Sequence, residues 1–250
     1  MVTDRSDHPT PAELYDCRFQ DDPRDDVSFY RDLAVDAGGA VLELACGTGR
    51  VHLPLLDAGV DATGIDLDTG RLARLRERAT ARGLDADVRE ADMLDFEPRR
   101  AYDLVLCPFN TVQHARSVDD QRTLLAQVHD ALAPGGQFVF DTFVPSFDVI
   151  CETDGEWQEE PVQYGGRTYT HRSRSRVVDS VEQQFEVETE TEAPHGAVVH
   201  ESSYRLSMLP KQQVELLARD SPFDSWSVES GFDGGDPDPA ASVRPGRSRS

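Results

Sequence analysis

The run from Val41 to Arg50, VLELACGTGR, restricts the fold of this chain more than any other stretch. A short apolar segment passes directly into a loop carrying Gly47 and Gly49, and VHLPLLDAG then reads as a helix, with Pro54 in its first turns and Gly59 as its stop. A strand that ends in a Gly-x-Gly turn and opens a helix leaves backbone N–H groups uncovered and no Cβ to hold a ligand off. The remaining elements must build a sheet around that strand.

Two ligand chemistries are compatible with such a loop. A dinucleotide fingerprint places a third glycine three residues after the second, and His52 stands there instead. Glu43, on the strand, is expected to aim a carboxylate into the site, which would repel a pyrophosphate and suit a cationic amine or sulfonium. The segment Glu43-Leu-Ala-Cys-Gly47-Thr-Gly49 resembles the first motif of the class I S-adenosylmethionine-dependent methyltransferases, E-x-x-C/G-x-G-x-G. A second segment, LAPGGQFVF (132–140), resembles their join between helix and fifth strand, so the likeness spans about Asp16 to Phe143.

Between these anchors the elements follow in order. DATGID reads as a second strand from about Ala62 to Ile65, with Asp66 at its tip, where a doubly wound fold accepts hydrogen bonds from ribose hydroxyls. Asp68 reads as the N-cap of the next helix. Leu72 and Leu75 form that helix's inner side, and Arg71, Arg74, Arg76 and Arg78 are expected on a solvated face. A weak third strand around Val88 leads to Asp92 and Met93, and YDLVLC is the continuous apolar run expected of a parallel strand buried on both faces. It ends in Pro108-Phe109-Asn110 with His114 beyond. The amphipathic helix from Val118 to Ala133 stops at Pro134-Gly135-Gly136, before the fifth strand.

The resemblance implies a Rossmann-like, doubly wound, mainly parallel α/β sheet that binds S-adenosyl-L-methionine and passes its methyl group to a nitrogen or oxygen of a small molecule. Glu43, Ala45, Gly47 and Gly49 would then meet the cofactor at the first strand, Asp66 and Leu67 its ribose side, Asp92 and Met93 the adenine, and Pro108 and Asn110 the fourth-strand end. Tyr15 and Tyr30, in the two segments before the first strand, are candidates for lining its methionine end, and His114 is a candidate general base. CPFN is not the N/D-P-P-Y/F motif of base-methylating relatives, which lowers the case for a nucleic-acid acceptor. A nicotinamide-dependent oxidoreductase and a non-catalytic cofactor-binding paralogue are the competing readings.

After Phe143 the period changes from helical to two. The domain reading is a cofactor-binding core over 1–143, an antiparallel substrate lid over 144–210, a return to the core by a helix and a sixth strand over 211–232, and a tail over 233–250 whose Pro, Gly, Ser and Arg content reads as disordered. In the lid, pairing the basic face Arg172, Arg174, Arg176 with the acidic face of the following strand sets Arg176 opposite Glu182 and Arg172 opposite Glu186, with a loop at Val178-Asp179-Ser180. The opposite face collects Tyr169, His171, Phe185 and Val187, and a third strand adds His200, Tyr204, Leu206 and Met208.

Composition adds limits. The 250 residues carry a net charge of −22 with one lysine, Lys211, which disfavours nucleic acid or anionic membrane as a partner and reads as adaptation to high salt. Four cysteines without a C-x-x-C pair indicate neither zinc nor a disulfide framework and fit a reducing cytoplasm. The acidic N-terminus and the absence of an apolar run near ~20 residues leave no signal peptide or span in view. A monomer or homodimer with no metal is expected.

Overall fold

The computed structural model describes residues 8–19, 26–143 and 147–232. Its centre is a parallel five-stranded sheet of β1 (Val41–Leu44), β2 (Ala62–Asp66), β3 (Asp87–Glu90), β4 (Tyr102–Cys107) and β5 (Leu132–Phe140), ordered β3-β2-β1-β4-β5. The chain builds outward from β1 through β2 to β3, then returns to pair β4 against the other side of β1, with Leu42 opposite Val105 and Glu43 opposite Leu106. Strand order therefore reverses between β1 and β4, where open α/β sheets hold their ligands.

Alternation along the strands explains the layers. Leu42, Leu44, Val105 and Cys107 pack on one face with Leu124, Val128 and Ala131 of α5 (Val118–Ala131), whereas Val41, Leu104 and Leu106 pack on the other with Tyr30 and Ala34 of α2 (Asp26–Ala37) and Leu55 of α3 (His52–Asp57). Leu72, Leu75 and Ala79 of α4 (Thr69–Ala81) join Leu53, Val88 and Cys46. Asp68 caps α4 as expected, accepting from the N–H groups of Gly70 and Arg71, and Ser117 and Asp120 form a reciprocal capping box on α5. α5 ends at Ala131, so Pro134 to Gly136 already belong to β5 rather than to a helix stop.

The basic side of α4 is only partly a solvated face: Arg71 and Arg76 are exposed, whereas Arg74 and Arg78 are half-buried. Arg74 and Arg78 grip Asp16 of α1 (Pro11–Phe19) at 3.0 and 2.7 Å, Arg76 donates to the carbonyl of Val88, and the Arg71 guanidinium lies over the Tyr15 ring. The sequence shows charges at helical spacing; only the tertiary contact reveals that α1 supplies the carboxylate. Tyr30 likewise does not line a crevice, because it is fully buried among the aliphatic residues of α2 and β1.

Beyond α6 (Phe147–Thr153) lies a second sheet, antiparallel, of four strands rather than three: β6 (Gln158–Tyr164), β7 (Arg167–Asp179), β8 (Gln184–Glu192) and β9 (Val198–Ser207), in chain order. Arg and Glu share a face as expected, but the register differs by four residues: Arg176 opposes Glu186, Arg174 opposes Glu188 and Arg172 opposes Glu190. The turn decides this. Asp179 Oδ1 accepts from both Val181 N–H and Glu182 N–H, and Gln183 takes a positive φ of 53°, so the loop runs beyond Val178-Asp179-Ser180. Charge alternation sets which faces meet; the observed register pairs all three arginines with glutamates, whereas the expected one would have left Arg174 opposite Gln184. On the other face Tyr169, His171, Phe185 and Leu206 are buried, and α1 lays Leu14 against Tyr169, Val162 and Ala193.

α7 (Lys211–Asp220) follows as expected, but the sixth strand does not: among the described residues Ser225 to Phe232 form no strand. Phe223 stacks on Phe138 and Phe232 meets Phe29 and Tyr30, so the segment is pinned at its ends. Between them every residue is exposed or half-buried and Trp226 leaves 40% of its surface open, so there is no apolar face for a strand to bury. The tail over 233–250 lies outside the described residues.

The fold makes two predictions. Gly49 has φ +88°, and a Cβ there would stand 2.9 Å from both Leu53 Cγ and Leu75 Cγ; Gly49→Ala should lower unfolding free energy in urea by about 2–4 kcal/mol, combining backbone strain with overpacking. Burial holds the His171 imidazole down to about 4, with the charge of Arg18 adding to it. Below about 6.5 the unfolded chain takes a proton that the folded second sheet refuses, so stability should fall as pH drops from about 6.5 towards 4. Thermal melts of His171→Gln should show a shallower decline over that interval.

Candidate functional site

The crevice forms at the carboxyl ends of the parallel strands. After β1 the backbone turns through Ala45 (φ 53°), Gly47 (φ 56°) and Gly49 (φ 88°), and Cys46 tucks its side chain against Gly64 of β2, where a Cβ would come within 2.7 Å of its sulfur. Burial raises the Cys46 thiol well above its ordinary range, and the nearby Glu43 and Asp66 carboxylates add to this, so it packs as a neutral group. A Cβ at Gly47 would meet nothing closer than 3.9 Å, so this side of the loop is bare backbone with space above it.

Asp66 ties that loop down. Its Oδ2 accepts from Gly47 N–H at 2.8 Å and its Oδ1 from Asp68 N–H at 2.7 Å, and its own carbonyl accepts from Ala91 N–H beyond β3. Each carboxylate oxygen keeps a further lone pair, and Leu67 beside it leaves 64% of its surface open. A carboxylate next to a bare leucine at a strand tip suits a sugar hydroxyl pair and a flat apolar ring. Asp92 and Met93 stand one strand further out; Asp92 Oδ1 accepts from Leu94 N–H, and Met93 is half-buried against the core.

Glu43 is buried near the end of β1. Its side chain is 4% exposed and faces His52, with Nδ1 3.0 Å from Oε2, and it lies near enough to Arg50 and Asp66 to feel both charges. Burial raises its carboxyl, while His52 and then Arg50 oppose that rise. Strand alternation sets this pairing: Glu43 shares its face with Val41, whose neighbours are α2 and α3. His52, which breaks the three-glycine pattern, fills that space completely buried.

Opposite β1, the β4 tip bends sharply. Pro108 is buried, and Phe109 and Asn110 both adopt left-handed backbone, with φ 66° and 57°. A 3-10 turn, Thr111–His114, then sends Val112 and Gln113 into the core and His114 outward. The His114 ring lies 5.6 Å from that of Tyr204 on β9, and Gln113 and Ser207 exchange bonds that lock the turn to the lid: Gln113 Nε2 donates to the Ser207 carbonyl, and Ser207 Oγ donates to the Gln113 carbonyl. Its surroundings lower the His114 imidazole, first by desolvation and then by the charges of Arg71 and Arg116. Tyr15 and Phe19 of α1 close the opening against Phe109, with centroids 6.4 and 5.2 Å away, and Arg50 stacks on the Phe109 ring while paired bidentately with Asp26.

Of the residues proposed from sequence, Gly47, Asp66, Leu67, Asp92, Met93, Pro108 and Asn110 gather at adjacent strand ends, Tyr15 caps them, and His114 faces the lid. Ala45 and Gly49 shape the loop, and Glu43 is buried beneath it, paired with His52. Phe19, Phe109, Arg50 and Asp141 carry no motif and were missed; for Asp141 the available signal is a carboxylate that directly follows the fifth-strand run. Among the described residues no cluster of histidine, cysteine, aspartate and glutamate could hold a metal, and no helix is long and apolar enough to cross a membrane.

Comparison with known proteins bears directly on this arrangement. Residues 41–136 match a family described as a methyltransferase domain. The chain is 28% identical to a dTDP-3-amino-3,6-dideoxy-alpha-D-glucopyranose N,N-dimethyltransferase of Streptomyces fradiae, covering 82% of this chain and 80% of that protein. Among solved structures it resembles the CcbJ methyltransferase of Streptomyces caelestis, with TM-score 0.73 and 24% identity over 91% of this chain and 92% of the other. It also resembles a glycopeptide N-methyltransferase, MtfA, complexed with sinefungin, with TM-score 0.51 and 25% identity over 87% and 91%. The strand order and the glycine loop agree with these likenesses, in which residues 41–136 are similar to a methyltransferase domain.

Proposed function

We propose that the chain methylates an amine nitrogen on a small polar acceptor of the amino-sugar class, and that the acceptor lies between the β4 tip and the lid. The observation that carries this reading is the neutral-leaning His114 facing Tyr204 across the opening; the dTDP-amino-sugar N,N-dimethyltransferase relative, aligned over most of both chains, supports it. When bound, S-adenosylmethionine supplies an electrophilic methyl on a cationic sulfur. The protein's share is then largely to hold an amine lone pair in line with it.

In this reading Asp66 would accept the ribose hydroxyls, the bare backbone at Gly47 would admit the cofactor closely, and Leu67 and Met93 would flank the adenine, with Asp92 beside its amino group. Tyr15 and Phe19 would cover the methionine end. Asn110 would present its side chain at the strand-order reversal, and His114 would accept the proton that the amine loses. Glu43 would act at one remove, holding His52 and so the base of the loop. On the same footing, the net charge of −22 reads as a surface for high salt, with a cytoplasmic protein, a monomer or homodimer, and no nucleic-acid partner.

Two measurements test this. Calorimetric titration of Asp66→Ala with S-adenosylhomocysteine should show affinity reduced about 10- to 100-fold, the worth of hydrogen bonds to a charged acceptor; parent affinity would remove Asp66 from the ribose. With dTDP-3-amino-3,6-dideoxyglucose as acceptor, kcat/KM should decline as pH falls through the lowered titration of His114, because the protonated ring cannot accept. His114→Gln should lose that limb and retain the one set by the amine itself, and superimposable profiles would rule out the base.

A further inference from the structure

The β4 tip contains the most improbable backbone in the crevice. Two consecutive non-glycine residues, Phe109 and Asn110, take φ 66° and 57°, and each left-handed residue costs about 1–2 kcal/mol. Such a bend persists only where its surroundings over-determine it. Asp141, the residue after β5, supplies that determination: Phe109 N–H donates to its Oδ1 at 2.6 Å and Asn110 N–H to its Oδ2 at 2.9 Å. The buried hydroxyl of Tyr30 donates to Oδ1 as well, at 2.6 Å, and anchors the carboxylate to α2. Arg50 then presses on the Phe109 ring from one side and Phe19 meets it edge-on from another.

We propose that Asp141 is a positioning residue for methyl transfer: by receiving both N–H groups of the left-handed pair, it holds the β4 tip in the bend that aims Asn110 and His114 into the crevice. The bend is fastened at two points. Upstream it hangs on Asp141; downstream the 3-10 turn is locked to the lid through Gln113 and Ser207, and Gln121 of α5 donates to the Ala115 carbonyl and to Ser207 Oγ. Without the upstream anchor the two residues relax towards ordinary backbone, and a displacement of about 1 Å at reacting groups costs on the order of 10²-fold in rate. The inference rests on the reading of the β4 tip as the acceptor side, and the test separates the two.

The experiment follows the Phe109 and Asn110 amides and the His114 ring by NMR in the full chain with bound S-adenosylhomocysteine, alongside turnover of dTDP-3-amino-3,6-dideoxyglucose. In Asp141→Ala both amides should exchange at least about tenfold faster and the His114 titration should rise towards about 6.5 as the ring leaves its place under Tyr204. On the acceptor, kcat should fall about 10²-fold with KM within about threefold. Tyr30→Phe, which removes the anchor but not the acceptor, should keep both amides protected. Asp141→Asn, which retains shape but turns a donor towards one N–H, serves if the alanine variant does not fold and should lose protection at one of the two amides, the one facing its NH2 group.

Unchanged protection of both amides would overturn the proposal, and so would lost protection with parent kcat and an unmoved His114 titration. A parent-like pH profile in His114→Gln combined with the full loss in Asp141→Ala would instead discard the His114 reading and leave the positioning role acting through Asn110.

Discussion

The carboxylate of Asp66 is the interaction on which the rest of the site depends. It accepts from the backbone of the glycine loop and from its own turn, so it joins the tips of β1 and β2 beside the bare backbone of Gly47. A buried acceptor of this kind must be satisfied, and two N–H groups satisfy it with lone pairs to spare. Removing it would free the loop and orphan Gly47 N–H together, which is why geometry and ligand capacity cannot be separated at this residue.

Around that stitch, the same device recurs. Asp92 receives the N–H of Leu94, Asp141 receives those of Phe109 and Asn110, and Asp179 receives those of Val181 and Glu182. Carboxylates at or just beyond strand ends hold turns, their own or a neighbouring strand's, so part of the acidity of this chain is structural. Another part is matched by arginine: Asp16 with Arg74 and Arg78, Asp26 with Arg50, and the ladder of Arg172, Arg174 and Arg176 with Glu190, Glu188 and Glu186. The exposed pairs among these contribute little each, whereas Asp26 and Arg50, both well buried, depend on their bidentate geometry. Arg50 also carries the Phe109 ring, so this pair links α2 to the crevice wall.

Closure is shared between two elements of different origin. α1 reaches across from the core, bonded to α4 through Asp16 and to the second sheet through Arg18 with Glu160 and through Glu13, which accepts from Tyr164. The second sheet in turn reaches the core through Ser207 and Gln113. The β4 tip is therefore flanked by a helix bonded to α4 and to the second sheet and by a turn fastened to β9, so hydrogen bonds and ion pairs help to set their relative position.

Much of this was legible in the residues. The parallel sheet follows from apolar runs that must be buried on both faces, the glycine loop from the only backbone that tolerates its dihedrals, and the Asp68 cap from local hydrogen bonding, all of which act over a few neighbouring positions. The lid faces were legible for the same reason, since alternation is local. What required the folded chain were partners distant in sequence or set by a turn: His52 pairing with Glu43, Asp16 claiming Arg74 and Arg78 of α4, Asp141 holding a bend more than thirty residues earlier, and the Asp179 turn fixing the register that pairs all three arginines with glutamates. Local preference determines which elements form and which way their faces point; which side chains meet at the site is decided by packing across the sheet, where strand order, not sequence distance, makes neighbours.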